Sequence, residues 1–205
     1  MARLLGKRSS INVRKVLWTA LEVGARLVQE DWGSGFRSTA EPEFLALNPH
    51  AMVPVLVDGD VVLWESNAIC RYLAASHGRA DLLPGAPAER ARVEMWMDWQ
   101  ASDFNNAWRY AFSALVRHSP DHQDPALLAA GIAQWNRTID TVAGQLARTG
   151  AYIAGDGFTL ADVVIGLSVN RWLKTPFEKP VPPEIARYLE RLSERPAFQE
   201  VASVV

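Results

Sequence analysis

The chain has 205 residues, 49% of them hydrophobic and 21% charged, with a formal net charge of -2 at pH 7. That is material for one large domain or two small ones with a real apolar core. So small a net charge gives no electrostatic footing for nucleic acid or an anionic membrane. A single cysteine, Cys70, excludes an internal disulfide and fits a reducing compartment. The opening residues, MARLLGKRSSINVRKVLW, lack the apolar run of a signal peptide, and no stretch reaches the ~18 apolar residues of a membrane span. The expectation is a cytoplasmic protein without membrane or nucleic-acid partners.

Residues 3–6 have room for a short strand only. From Ile11 to Gly24, Val13, Val16, Leu17, Ala20 and Leu21 recur at helical spacing and predict one apolar face. Ser9 or Ser10 stands where an N-cap belongs, and Gly24 where a helix stops. Residues 25–29 predict a second strand, so the start reads as a βαβ unit. Residues 30–40 are polar and predict a loop. Glu41 to Leu47 predicts one or two helical turns, ended by Asn48-Pro49.

Residues 53–57 and 61–64 are apolar runs on either side of Asp58-Gly59-Asp60, a hairpin signal. Ser66 to Ala75 reads as a helix. Residues 78–87 carry Gly and Pro and predict a linker between a first domain at 1–77 and a second at 88–205. Beyond it the pattern is helical throughout. A run over 88–117 would span roughly 45 Å at 1.5 Å per residue, with a kink expected near Asn105-Asn106. Further helices are predicted over 127–149, 159–173, 184–194 and 197–204. Eight tryptophans suit a helical core and an apolar pocket, five of them (Trp96, Trp99, Trp108, Trp135, Trp172) in this part.

Two features suggest chemistry. A proline opening a strand, as in Val53-Pro54, removes one ladder donor. An X-Pro bond is trans by default, and a trans proline starting an edge strand is the plainer reading. A cis bond would instead turn out the Val53 backbone N–H and C=O to pair with an extended peptide. Glu65-Ser66 stands at a predicted helix start. It is either a cap or an anion site in which first-turn N–H groups and the Ser66 hydroxyl hold a carboxylate while Glu65 holds an ammonium.

The segment LNPHAMVPVLVDGDVVLWESNAICRYLA (Leu47–Ala74) resembles the glutathione site of cytosolic glutathione transferases. It contains that family's N-P-x-x-x-V-P-x-L turn, its D-G hairpin and its E-S-x-A-I-x-x-Y-L helix start, in order. The likeness extends to S-S-x-N-V-R-K-V-L near the N-terminus and to F-T-L-A-D in the second half.

The resemblance implies an α/β thioredoxin-like N-terminal domain (βαβ-α-ββα) plus an all-α C-terminal domain, working as a homodimer. It implies that Pro54 is cis, that Val53 pairs with the cysteinyl backbone of glutathione, and that Glu65 and Ser66 hold its γ-glutamyl end. Asn67 is a secondary contact, and His50 is placed near the glycine carboxylate, where an exposed loop residue is the alternative. Glutathione is the co-substrate, with no metal. The same site serves conjugation, isomerisation, peroxide reduction or dehalogenation in such proteins. A binding or regulatory protein without turnover is the competing reading.

Turnover needs a thiolate, and a free thiol has a pKa of ~8.5. Lowering it by about two units takes roughly 2.7 kcal/mol, within reach of one charge-assisted hydrogen bond at a helix N-terminus. No tyrosine precedes Tyr72, and Cys70 lies inside a helix. Ser10, Asn12 and Ser9 remain as thiolate donors. The resemblance to serine-using, theta-like members favours Ser10, then Asn12.

In the second half, Thr159-Leu160-Ala161-Asp162 reads as a capping box with a structural role. The electrophile pocket is expected between the domains. Ser102, Asn105, Trp108, Arg109 and Phe112 are its candidates, on one predicted helix face, with Trp172 as a further possibility. Packing of the aromatics into the core is the alternative.

Overall fold

The computed structural model describes residues 1–203. Its contacts divide the described residues into two compact units: Met1–Gly85 together with residues 196–203, and Ala86–Arg195.

The first unit starts with β1 (Ala2–Leu5), α1 (Ile11–Val23) and β2 (Leu27–Glu30). β1 and β2 run parallel, with Ala2 opposite Leu27 and Leu5 opposite Glu30, so the predicted βαβ unit is present. A single turn, α2 (Pro42–Leu45), leads to β3 (Val55–Asp58), β4 (Val61–Trp64) and α3 (Ser66–Ser76). β3 lies antiparallel to β1, and the β3–β4 hairpin closes through Asp58 opposite Val61. The sheet order is β2-β1-β3-β4, the thioredoxin-like arrangement.

Side-chain chemistry explains the order. Leu4, Leu5, Val55 and Leu56 on the two central strands are fully buried, whereas Val28 on β2 and Val61 and Val62 on β4 are exposed. Central strands are covered on both faces and edge strands are not. The polar stretch 30–40 holds one apolar anchor, Trp32. It is fully buried against Leu5, Phe44 and Val55, with Arg37 stacked 3.9 Å over its ring.

α1 departs from its predicted pattern. Val13, Val16 and Ala20 are buried as expected, but Leu21 is exposed, and Arg14, Lys15, Trp18 and Thr19 are buried too. The reason is a second covering layer. The last helix, α10 (Pro196–Ala202), packs on α1, with the Phe198 ring 4.9 Å from that of Trp18. By its contacts α10 belongs to the first unit, not to the helical stretch 88–205 in which its sequence lies. The end of the predicted last helix, Val204, lies outside the described residues.

The second unit is helical. In place of one helix over 88–117, the chain forms α4 (Pro87–Trp99), a wide π turn (Gln100–Phe104), a short α5 (Asn105–Ala107) and α6 (Arg109–Leu115). Buried Gln100 at the start of that π turn donates to Ser168 Oγ at 2.9 Å. α7 (Pro125–Thr149) starts earlier than its apolar pattern, because Asp124 accepts from the N–H groups of Ala126 and Leu127. α8 (Leu160–Lys174) is buried along almost its whole length, and α9 (Pro183–Ser193) packs on α7 and α8. The capping box forms: the Thr159 N–H donates to Asp162 Oδ2 at 2.9 Å, and Ala161 N–H donates to Thr159 Oγ1 at 3.3 Å.

Candidate active site

The loop from β1 into α1 carries Ser9 and Ser10. It begins at Gly6, whose φ is +149°. A Cβ there would stand 2.5 Å from Val13 Cγ2 and 3.0 Å from Val53 Cβ, so only glycine lets this loop pass between α1 and Val53. Ser10 is the N-cap residue of α1 by backbone position, and its C=O accepts the first helical bond from Arg14 at 3.0 Å. Its side chain makes no capping hydrogen bond. The hydroxyl is therefore not committed to the helix, which removes the competition between capping and catalysis. Asn12, one residue inside the helix, is half-buried, as is Ser10, whereas Ser9 is exposed.

The Val53-Pro54 peptide bond is cis. Asn48 builds the approach to it. Fully folded into the loop, it donates from Nδ2 to Met52 O at 2.8 Å and accepts from His50 N–H at 3.0 Å. Its motif position was visible in the sequence, but its role as the loop's internal brace was not. The His50 ring is exposed and meets Trp64 edge-on at 4.8 Å, beside the Glu65-Ser66 step.

Glu65 sits at the N-cap of α3 with φ 69°, a conformation that costs a non-glycine residue about 1–3 kcal/mol. No side chain caps this helix. Its first-turn N–H groups are thus open to an outside acceptor, with Ser66 and Asn67 buried beside them, while the Glu65 side chain is exposed. Strain of this kind persists where surrounding structure enforces it, and clusters at ligand sites.

The one cysteine has no part in this. Cys70 is fully buried, and burial pushes its thiol up to about 11, against the pull of Thr19, Lys15 and Arg71. Among the described residues, no three His, Cys, Asp or Glu side chains gather where they could hold a metal ion.

In the helical unit the five electrophile candidates do not share a face. A π turn shifts the helical phase by about one residue, or ~100°. Trp108 and Phe112 are buried and meet edge-on at 5.3 Å. Asn105 joins them by accepting from Trp108 Nε1 at 3.1 Å. Ser102 is exposed and bonded to Asp98 O and Asp103 Oδ2, and Arg109 is also exposed. Trp172 is committed to the core, donating from Nε1 to Asn136 Oδ1 at 2.9 Å. A residue not singled out from the sequence is central: the buried Arg171 guanidinium lies 4.5 Å from both the Trp108 and Phe112 rings. Its signal was a polar Asn-Arg pair inside an otherwise apolar helix.

A parallel-and-antiparallel four-stranded unit with a cis-proline turn, followed by a helical unit, defines the class of thioredoxin-like proteins with an all-helical second domain. The family model for the glutathione S-transferase N-terminal domain matches residues 2–75, and that for its C-terminal domain matches residues 105–196. Glutathione S-transferase GstB of Escherichia coli K12 is 35% identical, with 100% of this chain and 99% of that protein covered. Glutathione S-transferase 3 of Zea mays is 35% identical, with 99% and 94% covered. The crystal structure of a theta class glutathione S-transferase from Xanthomonas axonopodis pv. citri with glutathione bound superposes with a TM-score of 0.93 at 39% identity, covering 100% of this chain and 98% of that one. The chain belongs to the glutathione S-transferase family.

Proposed function

We propose that this protein conjugates the thiolate of glutathione to a small, largely apolar electrophile. The observation that carries the reading is Ser10: a hydroxyl at the N-terminus of α1 that caps nothing. In the binary complex its O–H donates to the sulfur and the helix dipole favours the negative charge, with Asn12 as the second candidate. The thiol proton leaves to solvent. The thiolate then attacks an electrophilic carbon; the S–C bond forms as the bond to the leaving group breaks, and that group departs with the electron pair.

Val53, beside the cis bond, pairs its backbone with the cysteinyl part of glutathione. Glu65 holds the γ-glutamyl ammonium, while Ser66, the first-turn N–H groups of α3 and Asn67 hold its carboxylate. His50 is assigned to the glycine carboxylate. Trp108 and Phe112, with Asn105, offer the apolar surface for the electrophile, and Ser102 and Arg109 are the polar candidates. The bound-glutathione crystal structure cited above supports glutathione as co-substrate.

The protein acts as a homodimer in the cytoplasm, in a detoxifying role. No helix among the described residues is long and apolar enough to cross a membrane. Turnover of a chlorodinitrobenzene-type electrophile, read by absorbance beside calorimetry with glutathione, tests the reading. Saturable turnover is expected; glutathione binding without turnover on a broad electrophile panel refutes it.

A further inference from the structure

The loop that carries Ser9 and Ser10 is tied down at its start. Gly6 N–H donates to Glu30 O at 2.8 Å, Lys7 N–H to Trp32 O at 3.1 Å, and Lys7 Nζ to Ser34 O at 3.0 Å. Past Lys7 the external hold comes from the other end of the chain. Arg8 Nη2 pairs with Glu200 Oε1 at 2.6 Å, across 192 residues of sequence. A second tie falls just beyond Asn12. The buried Arg14 donates from Nη1 to the Val201 carbonyl at 3.2 Å. A third is apolar: Phe198 and Trp18, both buried, pack at 4.9 Å. All three ties come from α10, and the first two bracket the residues proposed to stabilise the thiolate.

We propose that α10 clamps the thiolate-stabilising loop, with Glu200 and Arg8 as a positioning pair that holds the Ser10 hydroxyl at its working place. The proposal rests on the reading of Ser10 as thiolate donor. Its physical basis is the steepness of hydrogen-bond strength with geometry: a hydroxyl that wanders spends less time donating to sulfur. Neither Glu200 nor Arg8 needs to touch glutathione. Phe198 and the Arg14 bond supply the anchorage that keeps α10 in place, and the exposed ion pair transmits it to the loop. An exposed pair alters such an equilibrium by about two- to five-fold.

The test uses full-length protein in four forms: wild type, Glu200→Gln, Arg8→Gln and the double variant. Hydrogen exchange of the peptide over residues 6–16 reads the clamp, and the pKa of glutathione thiol in the binary complex reads its consequence. Each single change is expected to speed exchange about two- to five-fold and to raise the bound thiol pKa by about half a unit, with no further change in the double variant. The urea midpoint should stay near that of wild type, and Glu200→Asp should restore part of the shift. Unchanged exchange overturns the clamp, as do single effects that multiply in the double variant. Faster exchange with an unmoved thiol pKa overturns the positioning role. Should wild type fail to ionise bound glutathione, the transferase reading falls, and the exchange arm still decides the clamp by itself.

Discussion

Replacing Asp162 by Asn keeps the shape of the α8 start and removes its charge. The native carboxyl is fully buried and accepts from Ile153 N–H at 2.9 Å, Thr159 N–H at 2.9 Å, Thr159 hydroxyl at 3.2 Å and Tyr188 hydroxyl at 3.0 Å. An amide has one oxygen, so two of these four donors would face an NH2 group. Each stranded donor costs about 1–3 kcal/mol, or about 2–6 together. Part of this is offset electrostatically. Burial pushes the Asp162 pKa up from 3.8 to about 6, against the pull of those donors, so its ionised form destabilises the fold by about 3 kcal/mol.

The folded protein thus holds this proton more tightly than the unfolded chain. The group's contribution is most favourable below about pH 4 and is lost as pH rises through about 6. Asn does not titrate. The stability gap between wild type and Asp162→Asn should therefore be widest in acid and narrow by about 2 kcal/mol between about pH 4.5 and pH 7.5. Urea titrations across that range measure it. A gap that is flat, or that widens as pH rises, refutes the reasoning.

Three further outcomes follow from the geometry. Gly6→Ala drives a methyl group into Val13 and Val53, so stability should fall by about 1–3 kcal/mol and the KM for glutathione should rise; unchanged kinetics would remove Gly6 from the site. Glu65→Gly relieves the φ of 69° while deleting the ammonium contact. Urea unfolding should show a gain of about 1 kcal/mol and calorimetry a loss of glutathione affinity of about ten-fold or more, and a loss of both would contradict the strain account. Cys70, buried with its thiol pushed up to about 11, should react with an aromatic disulfide only as the protein unfolds; fast labelling of native protein would count against that burial.

Most of the architecture was legible because it is local. Period-2 and period-3.6 patterns, the Asp58-Gly59 turn and the Thr159-x-x-Asp162 box each act within a few residues, and the elements formed near their predicted places except the single run over 88–117, which is broken into four pieces. What was hidden depends on distant partners. Nothing around Phe198, Glu200 and Val201 announces that this segment returns to α1, since Arg8 and Arg14 lie almost the whole chain away. The buried Arg14 and Trp18 broke the one-face reading of α1 for the same reason. Trp32 was lost in a polar stretch because its partners Leu5, Phe44 and Val55 come from three other elements. The π turn before Asn105 upset the phase of the electrophile candidates. No residue type encodes such a turn; packing such as the Gln100–Ser168 contact favours it. The cis bond at Val53-Pro54 runs against the default for the dipeptide, and only the wider motif pointed to it. Ser10 was legible as an N-cap position, but that its hydroxyl would be left unused was not.

The central claim is that a hydroxyl at the start of α1 stabilises a glutathione thiolate. Thiolate absorbance of bound glutathione, titrated with pH in wild type, Ser10→Ala and Asn12→Ala, tests it most directly. In wild type the bound thiol should ionise about two units below its free value of ~8.5, and Ser10→Ala should return most of that shift, with Asn12→Ala returning less. A bound thiol pKa that stays low in both variants would contradict the account.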